Sequence, residues 1–108
     1  MLSAEDVIIA FEQRWTKVKS RNSPYQICVN VLEKTTGLTE YTLEENGLVD
    51  FLHEYAHLYI NLQYMKEHDL PSDTIEHFEA DLEDAKLAFI RRYNAEYFIS
   101  EYCIERVH

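Results

Sequence analysis

Glycine, proline and cysteine are all scarce, two of each in 108 residues, and each shortage removes a class of protein. With glycines only at 37 and 47 there is no Gly-rich loop to cradle a phosphate. So few Gly and Pro in a chain that is 46% hydrophobic exclude low-complexity and disordered classes. Cys28 and Cys103 are too few and too far apart for a disulfide framework or a CxxC metal knuckle. Two thiols in a reducing compartment is the plain reading, so a cytoplasmic location is expected. Long apolar runs are missing too. None approaches the roughly 18–20 residues that span a bilayer. The opening "MLSAEDVIIAFEQRW" puts acids before its apolar positions and has no basic n-region, so it does not read as a signal peptide. The length suits a single domain, 1–108.

Positive charge is the remaining shortage. Ten bases face twenty acids, for a net charge of −10. Between Leu38 and Ile90 only Lys66 and Lys86 oppose thirteen acids, while Arg14, Lys17, Lys19 and Arg21 cluster near the start. Such a field repels phosphate backbones and argues against direct nucleic-acid binding. It favours encounter with a basic protein, although acids also serve simply to keep a small protein soluble.

The pattern that is present is helical. Ser3, with Asp6 three residues on, can cap a first helix carrying Val7, Ile8, Phe11, Trp15 and Val18 at three- and four-residue spacing. Ser23-Pro24 opens a second segment. Within it Tyr25, Ile27, Val29 and Val31 alternate as a strand would, but the Ser-Pro start and the stop at "TTG" favour helix. Thr42 and Glu45 have capping-box spacing, interrupted by Asn46-Gly47, so a third helix is expected to begin at Leu48 and run to about His68. Its apolar arc takes in Leu48, Leu52, Tyr55, Tyr59 and Leu62. After the turn "DLPSD", with Asp73 and Glu76 as candidate caps, an uninterrupted stretch to about Arg106 buries Ile75, Phe78, Leu82, Ala85, Phe89, Tyr93 and Tyr97. The expectation is an all-α fold, a small helical bundle built on a long antiparallel hairpin. The last helix would outreach its neighbour and so offers a homodimer surface.

One motif carries chemistry. His53, Glu54 and His57 in "FLHEYAHLYI" spell HExxH. Four residues are slightly more than one turn, so both imidazoles can share a zinc ion while the glutamate takes a proton from metal-bound water. Here the chain resembles the zincin metallopeptidases over five residues. The resemblance implies zinc held by His53 and His57, Glu54 as the catalytic base, and a third ligand from the following helix, where Glu79 matches best and Glu76 and Glu83 are rivals. In a regular hairpin turning at 69–73, however, His57 lies level with about residue 84. The alternative is that both histidines sit at the margin of the apolar arc, bonded to a tyrosine or a carboxylate. Glu54-His57 also has the ExxH spacing of di-iron carboxylate bundles, whose second pair would have to be Glu105-His108.

Two functions follow. The favoured one is a non-enzymatic acidic protein that neutralises a basic partner, as an immunity protein does a nuclease toxin or a small phage-type inhibitor a nucleic-acid enzyme. Asp50, Glu54, Glu76, Glu79, Glu83 and Asp84 are the expected contact acids, side by side on the hairpin, with tyrosines as anchors. The other is a small zinc hydrolase.

Overall fold

Ser3 begins the first helix as its sequence predicts. In the computed structural model, which describes residues 3–18 and 23–95, the Ser3 Oγ accepts the Asp6 amide at 3.2 Å and the Ser3 amide donates to Asp6 Oδ2 at 3.3 Å. This reciprocal pair satisfies amides that the first turn leaves without carbonyl partners. Helix α1, Ala4–Val18, follows and buries Val7, Ile8 and Phe11.

The second segment is a helix, α2, Pro24–Thr36. Ser23 Oγ accepts the Gln26 amide at 3.1 Å and Pro24 takes the first position, where its missing N–H costs no hydrogen bond. Gly37, at φ 75°, ends it by donating its amide to Glu33 O at 2.9 Å. The alternation that hinted at a strand survives only as burial on two flanks. Ile27, Cys28, Val29, Val31 and Leu32 are all inside.

A short helix not expected from the sequence comes next: α3, Glu40–Glu45. Its cap is Thr39, whose Oγ1 accepts the Thr42 amide at 3.3 Å. Thr42 is therefore inside the helix and not its cap. Gly47, at φ 82°, then turns the chain into α4, Leu48–Glu67. That helix ends at His68, with Asp69 in the left-handed region at φ 53° and the Leu70 amide donating to Met65 O at 3.1 Å. This is a Schellman-type stop built on aspartate instead of glycine. Helix α5, Ser72–Tyr93, starts after Pro71 with no side-chain cap, so Asp73 and Glu76 do not play that part. The expected continuation to Arg106, with Tyr97, lies outside the described residues beyond Ala95.

Helices α4 and α5 form the antiparallel hairpin and share the most extensive contact among the described helices. Helix α2 packs on α4, and α1 packs on α2 and reaches α5, touching α4 through Glu12–Tyr55 and Phe11–Tyr59. The fold is all-α, with five helices and no strand among the described residues. The core joins Val7 and Phe11 to Ile27, Leu32, Leu43, Leu48, Leu52, Phe89 and Tyr93, each without solvent exposure. The described α5 seam is as expected: Ala85, Phe89 and Tyr93 buried, and Ile75, Phe78 and Leu82 half-buried. Among the described residues no helix is long and apolar enough to cross a membrane.

Candidate functional site

His53 and His57 take the positions that their helical spacing dictates, but Glu79 does not join them. The His53 ring meets the Tyr25 ring edge-on, at 5.5 Å between centroids. His57 is exposed, with Nε2 3.3 Å from Asn61 Nδ2 on the same helix. Glu79 lies instead against Lys66, whose Nζ is 3.6 Å from Oε2. Lys66 is nine residues beyond His57, which is half a turn round α4 and about 14 Å along it. The register that places Glu79 at Lys66 therefore removes it from the histidines. Among the described residues no three His, Cys, Asp or Glu side chains are arranged to hold a metal ion. The structure does not bring the expected triad His53, His57 and Glu79 together. Glu54 is exposed on α4, and Glu105 and His108 lie outside the described residues.

The six expected contact acids are all exposed, but they do not share one face. Glu76, Glu79 and Glu83, spaced three and four apart, run along one side of α5. There Glu79 and Glu83 border a groove of about 370 Å³ with Glu12, Tyr55, Tyr59, Lys66 and Lys86. Asp84 is turned about 100° away from Glu83. Asp50 and Glu54 lie on the solvent side of α4 near its start. Arg92 stacks over the Phe51 ring at 5.8 Å, so Glu54 is level with about residue 90, some 10 Å along the hairpin from Glu83. The carboxylates form two separate patches.

Two tyrosines and a cluster of carboxylates make up the second patch. The Tyr25 hydroxyl on α2 donates to Glu44 Oε1 on α3 at 2.7 Å. That hydrogen bond, then loss of water around the ring and the charges of Glu44, Asp50 and Glu40, push the phenol up to about 12. Glu40 is raised as well, first by a hydrogen bond shared with Glu44, then by loss of water around it and by the charges of Glu44 and Glu33. Like charges crowd here, and one carboxyl holds its proton longer because its neighbour is ionised. Tyr41, 75% exposed, stands beside Glu44 and Glu45 over a hollow of about 310 Å³. Neither Glu40, Glu44 nor Tyr41 was among the expected contact residues. Their signal in the sequence was the Thr39 cap, which would have placed "EYTLEE" on a helix.

Counter-charge separates the two patches. Lys66 and Lys86, the only Lys or Arg among thirteen acids between Leu38 and Ile90, both border the α5 groove. Beside the α3–α4 patch the described cation is Arg92, whose Nε donates to Asn46 O at 3.0 Å and which forms no ion pair with a described carboxylate of that patch. No family model, curated protein or solved structure matches the chain.

Proposed function

We propose that this is a non-enzymatic acidic binding protein that neutralises a basic protein partner, and that it docks through the face made by α3 and the start of α4. The observation that carries the reading is that no ion pair between described residues engages the acids there. Glu40, Glu44, Glu45, Asp50 and Glu54 are exposed, and no described base is ion-paired to any of them; the one ion pair between described residues is Lys66–Glu79, on the other patch.

A single-sign patch suits this work. Opposite charge on the partner speeds encounter, and relief of the Glu40–Glu44 repulsion adds a gain that exists only in the complex. Tyr41 supplies a large amphipathic contact at small entropic cost, as interface anchors do. A nuclease toxin or another nucleic-acid enzyme fits as target, because its phosphate-binding surface is already cationic. The α5 acids Glu76, Glu83 and Asp84 add long-range attraction, while Glu79 is partly offset by Lys66.

The test takes a partner recovered with the full chain and follows its association by stopped flow. The association rate constant should fall steeply as salt rises from about 0.05 to about 0.5 M, across which the Debye length drops severalfold. Glu40→Lys with Asp50→Lys should slow association more than Glu76→Lys with Glu83→Lys. A salt-independent rate constant would defeat the reading, and equal effects of the two pairs would move the docking face.

A further inference from the structure

The bases of this acidic protein are not spread evenly. Three of the seven among the described residues, Arg14 and Lys17 of α1 and Lys34 of α2, converge on one cleft of about 260 Å³ whose other walls are Ala10, Gln13, Val31 and Thr35. No carboxylate lines it. None of the three cations is ion-paired with a described residue, although acids outnumber bases seventeen to seven over the same stretch.

The acids nearest in sequence are turned elsewhere. Glu12 accepts the Tyr55 hydroxyl at 2.7 Å on the α4 side of α1. Glu33 lies near Glu40, towards α3. Asp6, two turns before Arg14, is occupied at the Ser3 amide. The local field in the cleft is therefore positive inside a molecule of net charge −10. At physiological salt a charge is screened beyond about 8 Å, so the cleft's own three cations dominate there over the distant acids.

From this geometry we infer an anion-binding site for a small, soluble, phosphate-bearing molecule. Arg14 can present its guanidinium fork to two phosphate oxygens, with Lys17 and Lys34 as point charges beside it. Gln13 adds a neutral amide donor. Thr35 does not, because its hydroxyl donates to Val31 O at 2.9 Å. Ala10 and Val31 give an apolar floor. At about 260 Å³ the cleft falls just under the roughly 300–1,000 Å³ of pockets that enclose drug-sized ligands, which favours a diphosphate or a small phosphate ester over a whole nucleotide. Nucleic acid itself is disfavoured by the overall negative charge. This site is independent of the α3–α4 face and stands or falls without it.

Inorganic pyrophosphate is the probe. It is titrated into the full-length ¹⁵N-labelled protein to about 10 mM, about ten times the half-saturation point of a millimolar site, against sodium chloride of matched ionic strength. Saturable amide shifts are expected at Gln13, Arg14, Val31, Lys34 and Thr35, with none in the chloride arm. Arg14→Gln should weaken the response about tenfold, the loss of one charge-assisted hydrogen bond, and Lys66→Gln, outside the cleft, should leave it unchanged. Arg14 and Lys34 are exposed, so circular dichroism of Arg14→Gln and Lys34→Gln should match the parent. The inference is overturned by shifts that fail to saturate, by equal shifts with chloride, or by shifts that map away from the cleft. Binding only to vesicles carrying phosphatidic acid, with no response to free pyrophosphate, would overturn it too.

Discussion

Replacing Tyr55 by phenylalanine isolates one bond between α1 and the hairpin. Tyr55 is 4% exposed, its hydroxyl donates to Glu12 Oε2 at 2.7 Å, and its ring stacks on Tyr59 at 6.1 Å. Tyr59 in turn meets Phe11 edge-on at 6.2 Å. Phenylalanine keeps the ring and opens no cavity, so the loss is that of the hydrogen bond. A bond to a charged acceptor is worth about 1.5–3 kcal/mol. Glu12 is only half-buried and can regain water, which lowers the expected cost to about 1–2 kcal/mol. With an unfolding entropy near 2.1 cal/mol/K per residue, that is a fall in Tm of about 4–9 °C for a domain of this size. A double-mutant cycle with Glu12→Gln, followed by urea denaturation, should return a coupling of about 1 kcal/mol. The pH dependence is a second check. Burial first, and then the Glu12 hydrogen bond and charge, raise the Tyr55 phenol well above its usual value. The folded protein therefore keeps a proton that the unfolded chain releases near pH 10, so this stabilisation is whole below about pH 10 and is lost as pH rises further. The gap between parent and Tyr55→Phe should narrow in that range. A variant within about 0.3 kcal/mol of the parent, with no coupling to Glu12→Gln, would refute the reasoning.

Two further substitutions probe the core. Phe89 has no exposed surface and sits 5.9 Å from Tyr93; Phe89→Ala should cost about 3–5 kcal/mol, read as a lowered urea midpoint, and near-parental stability would contradict its place in the core. In a Cys103→Ser background Cys28 is fully buried, with burial pushing its thiol up to about 12. It should stay unreactive to a disulfide reagent near pH 8 in folded protein and react at the rate of unfolding in urea; rapid labelling without denaturant would place it at the surface.

Much of the fold was legible because its signals are local. Val7, Ile8 and Phe11 recur at helical spacing, and Ser3 and Asp6 form the expected reciprocal cap. Ser23-Pro24 and Gly37 bracket α2 even though its interior alternates, since burial on two flanks resembles a strand's pattern. Helix α3 was hidden for a specific reason. Thr39 is followed three residues later by Thr42, not by Glu or Gln, whereas Thr42 and Glu45 match the capping box better while occupying the wrong turn. Six residues are also too few to display periodicity. The candidate site was less legible because it depends on how helices sit against each other. Spacing within α4 fixes His53 and His57 on neighbouring positions, but only the turn at His68–Pro71 fixes which α5 residue comes level with them. That turn pairs Lys66 with Glu79 and leaves the histidines beside Tyr25 and Asn61.

The placement of charge also explains why the acids can be tested without disturbing the fold. No Asp, Glu, Lys or Arg is among the described buried residues, so stability rests on apolar contacts and the carboxylates of α3 and α4 stand outside them. Crowded like charges oppose folding modestly, and Glu40 is held above the usual carboxylate range chiefly by Glu44. Neutralising Glu40 should therefore raise stability slightly while weakening attachment to a basic partner. A patch kept only for solubility predicts the same gain in stability with no change in attachment. Melting temperature and association rate, measured on the same Glu40→Gln protein, thus move in opposite directions if the face binds a partner, and only the first moves if it does not.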